Sequence, residues 1–296
     1  MRVTQRELIT QASRSINEHL ERLQKLQSIA ATGKRVQKPE DDPMGTGRAL
    51  GIRSHLRTME ASLRNLDLSR DWLSATETAL QGIKDLLARA RNLALSAADE
   101  AGQSDQAFQA WQVEVEKLLE QAVGIANSSH RGLYLFAGFK VTDVPFQLSD
   151  QAPWQVTYNG DDGAIEHTME PGIRVQVNVP GSHPMFDKVF SALSELWNAL
   201  DQQDTGAIQQ SVQSIDEAMD ATLEVLSVTG ARVNRVDATR SRLESLQVDL
   251  KSLLSQIEDA DLAETMLELN SEDLAYRSYL AASSRLFGPT LFDYLK

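Results

Sequence analysis

The chain has 296 residues, with 42 Asp+Glu against 29 Lys+Arg, a formal net charge of -13 and no cysteine. That acidic balance excludes a general nucleic-acid binder, and the missing thiols exclude disulfides, thiolate catalysis and cysteine metal sites. No apolar run reaches the roughly 18–20 residues of a membrane span, and no apolar segment ahead of a small-residue cleavage site marks a signal peptide, so neither nucleic acid nor membrane is an expected partner.

Residues 3–36 read as a helix whose apolar positions step by three and four: Ile9, Ala12, Ile16, His19, Leu23, Leu26 and Ala30. Only His19 interrupts this coiled-coil seam, and a packed or interface histidine is its expected role. Two prolines in Lys38-Pro39-Glu40-Asp41-Asp42-Pro43 then break the helix, with Asp42 placed to cap the next one and Pro43 at its first position. Gly45-Thr46-Gly47 resembles the start of a phosphate loop but lacks the preceding strand and the Lys-Ser/Thr pair, and reads as a flexible joint. From Arg48 to about Ala98 runs a helix of roughly 75 Å, with Ile52, Leu56, Met59, Leu63, Leu66, Leu73, Leu80, Ile83 and Leu87 at helical spacing.

A turn at 100–105 and a helix at about 105–129, with Phe108, Trp111, Val115, Leu118, Ala122 and Ile125 on one face, lead to a change of texture. Between Gly132 and His183 lie 6 of the 16 glycines and 4 of the 8 prolines, and segments 154–158 and 173–179 alternate with period two around Asn159-Gly160 and Asp161-Asp162-Gly163 turns. A small antiparallel β module over 133–183 is expected. Helices follow at 184–202, 206–228 and, over roughly 80 Å, from Ala231 to Arg285. The last one continues a seam through Leu243, Leu246, Leu250, Leu253, Ile257 and Ala260, and Gly288-Pro289 ends it before the tail Leu291-Phe292-Asp293-Tyr294-Leu295.

The fold class is therefore mainly α: an elongated rod of long helices with paired terminal coiled-coil helices and a β module inserted in the middle. Residues 1–37 with 240–296 form one domain, 48–132 with 184–239 a second, and 133–183 a third. Residues 1–60 hold 11 Lys+Arg against 7 Asp+Glu and residues 240–296 hold 6 against 10, which suits an antiparallel pairing of the ends. The assembly seam is assigned to Ile9, Ile16, Leu23, Leu26, Leu243, Leu246, Leu250, Leu253 and Ile257.

Nothing converges on chemistry. The five histidines show no i, i+4 pair, and Ser128-Ser129-His130 lacks the strand–turn–helix setting of a nucleophile and reads as a helix-end turn. Asp41-Asp42 and Asp161-Asp162 lack calcium-loop spacing and read as caps and turns. A non-enzymatic protein without cofactor or metal is expected.

Several segments in fixed order resemble the flagellin superfamily, and within it the hook-associated protein 3 family. They are Thr32-Gly33-Lys34-Arg35-Val36 with Pro39, Asp41-Asp42-Pro43 and Gly45; Gly132-Leu133-Tyr134-Leu135-Phe136-Ala137-Gly138; Tyr158-Asn159-Gly160-Asp161; Val177-Asn178-Val179-Pro180-Gly181; Gly230-Ala231-Arg232-Val233-Asn234-Arg235; and Ile257-Glu258-Asp259-Ala260-Asp261-Leu262-Ala263-Glu264. The opening Met1-Arg2-Val3-Thr4, the closing Leu291–Leu295 tail and the single small module favour the junction family over flagellin.

The resemblance implies a ring of copies joining hook-associated protein 1 to flagellin, with the terminal helices lining a channel and the β module outermost. It also implies export through the flagellar type III apparatus to an extracellular position, with a cytoplasmic chaperone on the C-terminal helix. Before assembly the terminal stripes are expected to lack an adequate partner and to order on docking. The alternatives are flagellin itself, or a secreted stalked protein that binds through the β tip.

Overall fold

The computed structural model describes residues 5–99, 105–149, 151–152 and 154–287. Among the described residues six helices and six short strands follow in the order α1 (Gln5–Thr32), α2 (Pro43–Asp99), α3 (Asp105–Ala126), β1 (Ser129–His130), β2 (Leu133–Tyr134), β3 (Phe146–Leu148), β4 (Val156–Tyr158), β5 (Glu166–Glu170), β6 (Ile173–Gln176), α4 (Pro184–Asp201), α5 (Thr205–Glu258) and α6 (Leu262–Phe287). No described helix is long and apolar enough to cross a membrane. The turn expected at 100–105 lies outside the described residues except for Asp105, which opens α3, and the tail at 291–295 lies wholly outside them. The chain divides into two units, Met1–Arg57 with Leu246–Lys296, and Thr58–Ser245.

In the first unit α1 packs against α6. Ala12, Leu23 and Ile29 are buried and Ile16, His19 and Leu26 half-buried, so the stripe read from the sequence is the packed face. α1 stops at Gly33, whose φ of 70° suits a residue without Cβ and whose amide donates to the Ile29 carbonyl at 2.8 Å. α2 starts as expected: Asp42 Oδ1 accepts from the Gly45 amide at 2.8 Å, with Pro43 in the first turn. Gly45 and Gly47 are not a flexible joint. They lie inside the first turns of α2, because the Asp42 cap and Pro43 nucleate the helix ahead of them.

The second unit is closed by regular seams. Along α2 the positions Met59, Leu66, Leu73, Leu80, Leu87 and Ala94 recur every seven residues and all are buried, as are Ile208, Ile215, Thr222, Thr229, Val236 and Leu243 along α5. The hydroxyls among them are satisfied locally: Thr222 donates to the Ala218 carbonyl and Thr229 to that of Val225, both at 2.8 Å. α3 packs on α4, whose buried face includes Met185, Phe186, Val189, Leu193 and Leu196. Asp204 caps α5 through the Gly206 and Ala207 amides.

Two helix boundaries differ from expectation. α5 runs through Gly230, where a break was expected. The glycine costs about 1 kcal/mol relative to alanine, but the buried register on both sides of it holds the helix. Conversely, the long terminal helix expected over 231–285 is interrupted at 259–261, for reasons given below.

Among its described residues the middle module holds three separate two-stranded antiparallel ladders. The segments expected at 154–158 and 173–179 appear as β4 and β6 but do not pair with each other. β4 pairs with β3 (Phe146 opposite Tyr158) and β6 with β5 (Glu166 opposite Gln176). Ser129–His130 is a strand paired to Leu133–Tyr134 rather than a helix-end turn. An aromatic core ties β3 and β4 to α4: Phe146 meets Tyr158, Phe186 and Phe190 with tilted rings at centroid distances of 5.0–5.3 Å, and Phe136 meets Phe186 edge-on at 4.9 Å. The Asp161 carboxylate turns the chain by accepting from the Phe139 and Gly163 amides. Gly138, with φ of 69°, sits so close to Asp161 that a Cβ would lie 2.1 Å from its carboxylate.

Candidate assembly interface

The nine seam residues have different surroundings. Ile9 lies on α1, with its side chain outside the described residues. Ile16, Leu23 and Leu26 face α6. Leu243 is buried within the second unit. Beyond it the α5 stripe opens: Leu246 is 42% and Leu253 46% exposed, with Leu250 and Ile257 half-buried. The stripes of α1 and α5 are thus not packed on one another as expected; α1 takes α6, because the break after Glu258 frees α6 to lie along it. α6 keeps an apolar surface of its own, with Leu262, Met266, Leu267 and Leu274 exposed.

Sequence spacing did not single out the joint that organises this unit. The carbonyl of Glu258, last in α5, accepts from the Arg35 amide at 2.7 Å and the Val36 amide at 3.3 Å. Arg35 Nη2 donates to the Ile257 carbonyl at 3.0 Å, and the Ala260 amide donates to the Gly33 carbonyl at 2.9 Å. The Glu258 side chain is 5% exposed, and its Oε2 accepts from both Lys34 Nζ and Arg53 Nη2 at 2.7 Å. Burial alone raises its pKa, but the two hydrogen bonds and the charges behind them outweigh that and hold it below the ordinary carboxylate value. Asp261 then caps α6 through the Ala263 and Glu264 amides at 2.8 and 3.2 Å. A cleft of about 300 Å³ beside the joint is lined by Lys34, Val36, Pro39, Leu50, Arg53 and Glu258.

Two further ties secure the same unit. Asp41 accepts from Lys25 at 2.8 Å and from the Gln37 and Lys38 amides, which lowers its pKa to about 2. His19 Nδ1 lies 2.6 Å from Glu272 Oε1 and its ring 5.6 Å from that of Tyr279. Arg22 Nη2 also reaches this Nδ1, at 2.9 Å, beside the hydrogen bond between His19 and Glu272. That bond, with help from Arg22, lowers the Glu272 pKa. The interrupting histidine of the α1 seam is therefore a packed one.

The joint is built from Thr32–Val36 and Ile257–Glu264, segments more than 220 residues apart in the chain. Residues 5–140 match the bacterial flagellin N-terminal helical region and residues 212–286 the bacterial flagellin C-terminal helical region. The chain belongs to the flagellin family. This flagellin-family chain is 26% identical to a flagellin of Halalkalibacterium halodurans over 264 residues, covering 89% of the chain and 87% of that protein. It is 24% identical to flagellar hook-associated protein 3 of Escherichia coli over 253 residues, covering 82% and 73%. Its fold matches the crystal structure of Bacillus cereus FlgL with a TM-score of 0.61 at 23% identity, over 69% of the chain and 99% of that structure. It is a flagellar structural protein.

Proposed function

We propose that this chain is the hook-associated protein 3 of its flagellum: copies form a ring that joins hook-associated protein 1 to the flagellin filament. The observation that carries the reading is the apolar surface of the first unit. Leu246 and Leu253 on α5 and Leu267 and Leu274 on α6 stand open to solvent beside a helix pair already satisfied within the chain, and such a surface needs neighbouring copies to cover it. The likeness to relatives named hook-associated protein 3 supports the junction role. In this reading residues 1–37 and 240–296 form the channel-lining layer, 48–132 and 184–239 surround it, and 133–183 faces outward. Leu246, Leu250, Leu253 and Ile257 carry the axial and lateral packing, while Ile16, Leu23 and Leu26 hold α1 on α6 and Leu243 packs within the second unit. The protein travels through the flagellar type III apparatus to the outside of the cell, with a cytoplasmic chaperone on its C-terminal helix.

Deleting the gene in its host tests this. Intact hooks, no filaments and monomeric flagellin in the medium are the expected result. The flagellin reading has its own support, the 26% identity to a flagellin over most of both chains, and it predicts that no filament antigen remains anywhere. Normal swimming would overturn both and leave a binder acting through 133–183.

A further inference from the structure

The segment Ser255-Gln256-Ile257-Glu258-Asp259-Ala260-Asp261-Leu262-Ala263 holds no proline and no glycine, and its local break signal is the Asp261 cap on the Ala263 and Glu264 amides. The heptad register also passes through the break. Counting in sevens from Ser211, Ala218 and Val225, buried in α5, leads to Leu246, Leu253, Ala260, Leu267 and Leu274. On the two sides of the interruption these leucines are 42%, 46%, 73% and 68% exposed. A single helix would align them into one seam; the observed break divides that seam and leaves both parts uncovered.

What ends α5 comes from elsewhere in the first unit. The amides of Arg35 and Val36 take the Glu258 carbonyl, the Arg35 side chain takes that of Ile257, and the Gly33 carbonyl takes the Ala260 amide. These are groups that would otherwise bond within the next helical turn. The Lys34 and Arg53 cations fix the Glu258 carboxylate in the same place.

We propose that the α5–α6 break is a two-state joint, held open by the Gly33–Val36 strap and the Lys34–Glu258–Arg53 cluster, and that releasing the strap converts α5 and α6 into one continuous helix carrying an unbroken apolar seam from Leu246 to Leu274. In the exchange the backbone hydrogen bonds to the strap are replaced by a similar number within a helix, so what holds the observed form is the charged cluster together with the α1–α6 packing that the break permits. The joint belongs to the single chain and does not depend on which flagellar part the protein forms.

The absence of native cysteine makes the test direct. Spin labels on Lys251→Cys and Ser278→Cys, both exposed, report the separation across the joint, which in a continuous helix is about 40 Å. The 13Cα shifts of Asp259–Asp261 report its backbone. Two variants of the full chain each remove half of the latch: Lys34→Ala with Arg53→Ala, and Arg35→Pro, which deletes one strap amide and its guanidinium. In the parent chain the 13Cα shifts are non-helical. In at least one variant they move to helical values as the label separation settles near 40 Å. Helical shifts already in the parent, or shifts that stay non-helical or turn to random coil in both variants, overturn the proposal.

Discussion

At Glu258 one carboxylate oxygen serves two cations while the side chain is almost wholly buried. Removing one partner of a fully buried pair costs about 3–5 kcal/mol because the other charge is stranded. Lys34 and Arg53, however, are 42% and 47% exposed and reach water when released. Glu258→Ala is therefore expected to destabilise the first unit by about 2 kcal/mol, below the buried figure, and denaturant unfolding followed by a probe on α6 checks it. Gly45 makes a second residue-scale case. A Cβ there would stand 2.3 Å from Asp42 Oδ2, so Gly45→Ala pushes the cap off the α2 amides. The expected loss is about 1 kcal/mol, typical of a lost N-cap, read from the unfolding midpoint against Gly47→Ala, whose Cβ meets nothing. The Asp42 cap was legible because a cap and the helix it serves are neighbours in sequence. The Glu258 cluster was not, since an acidic run on a helix looks like a solvated face until its cations arrive from 205 and 224 residues away.

Long seams were the most legible elements. The stripe Ala12–Leu23–Leu26 is the packed face of α1, and the α2 heptads are buried throughout. Periodicity names the face a helix buries but not the helix that covers it, which is why the α1 stripe was paired with α5 in expectation and lies on α6 in the fold. The β module shows the same limit: β4 and β6 had visible alternation, whereas their partners β3 and β5 did not, so the pairing could not be deduced. Leu250 gives the element-scale prediction. It is half-buried and on the open part of the α5 seam, so Leu250→Asp leaves the free chain folded, because the carboxylate can turn to solvent. In an assembled seam the same charge loses water without gaining a partner. The expected outcome is wild-type helical content in the purified chain and no incorporation into flagella, while Ser252→Asp, about 200° around the helix, is incorporated normally. Motility in the Leu250→Asp strain would remove the α5 seam from the interface.

For the molecule as a whole, the distribution of perturbed carboxylates predicts which unit is sensitive to acid. Asp41, Glu258 and Glu272 all lie in the first unit, and all have folded-state pKa values held below the ordinary 3.8 for Asp and 4.5 for Glu. A depressed carboxylate stabilises the fold fully above its ordinary value and loses that contribution as pH falls through the folded one. The affected window therefore runs from about pH 4.5 downward and reaches about 2 for Asp41. Protonation in that range loosens the strap, the Asp41 turn and the α1–α6 contact together. In the second unit Asp161 is also depressed, through the Phe139 and Gly163 amides, but it anchors a loop, whereas α3 and α4 are held by Val115, Leu119, Val189, Leu193 and Leu196, which do not titrate. Hydrogen-exchange protection factors measured from pH 6 to pH 3 are expected to fall in α1 and α6 while those of α3 and α4 persist. Loss in the reverse order would mean that apolar packing, not these three carboxylates, sets the stability of the first unit.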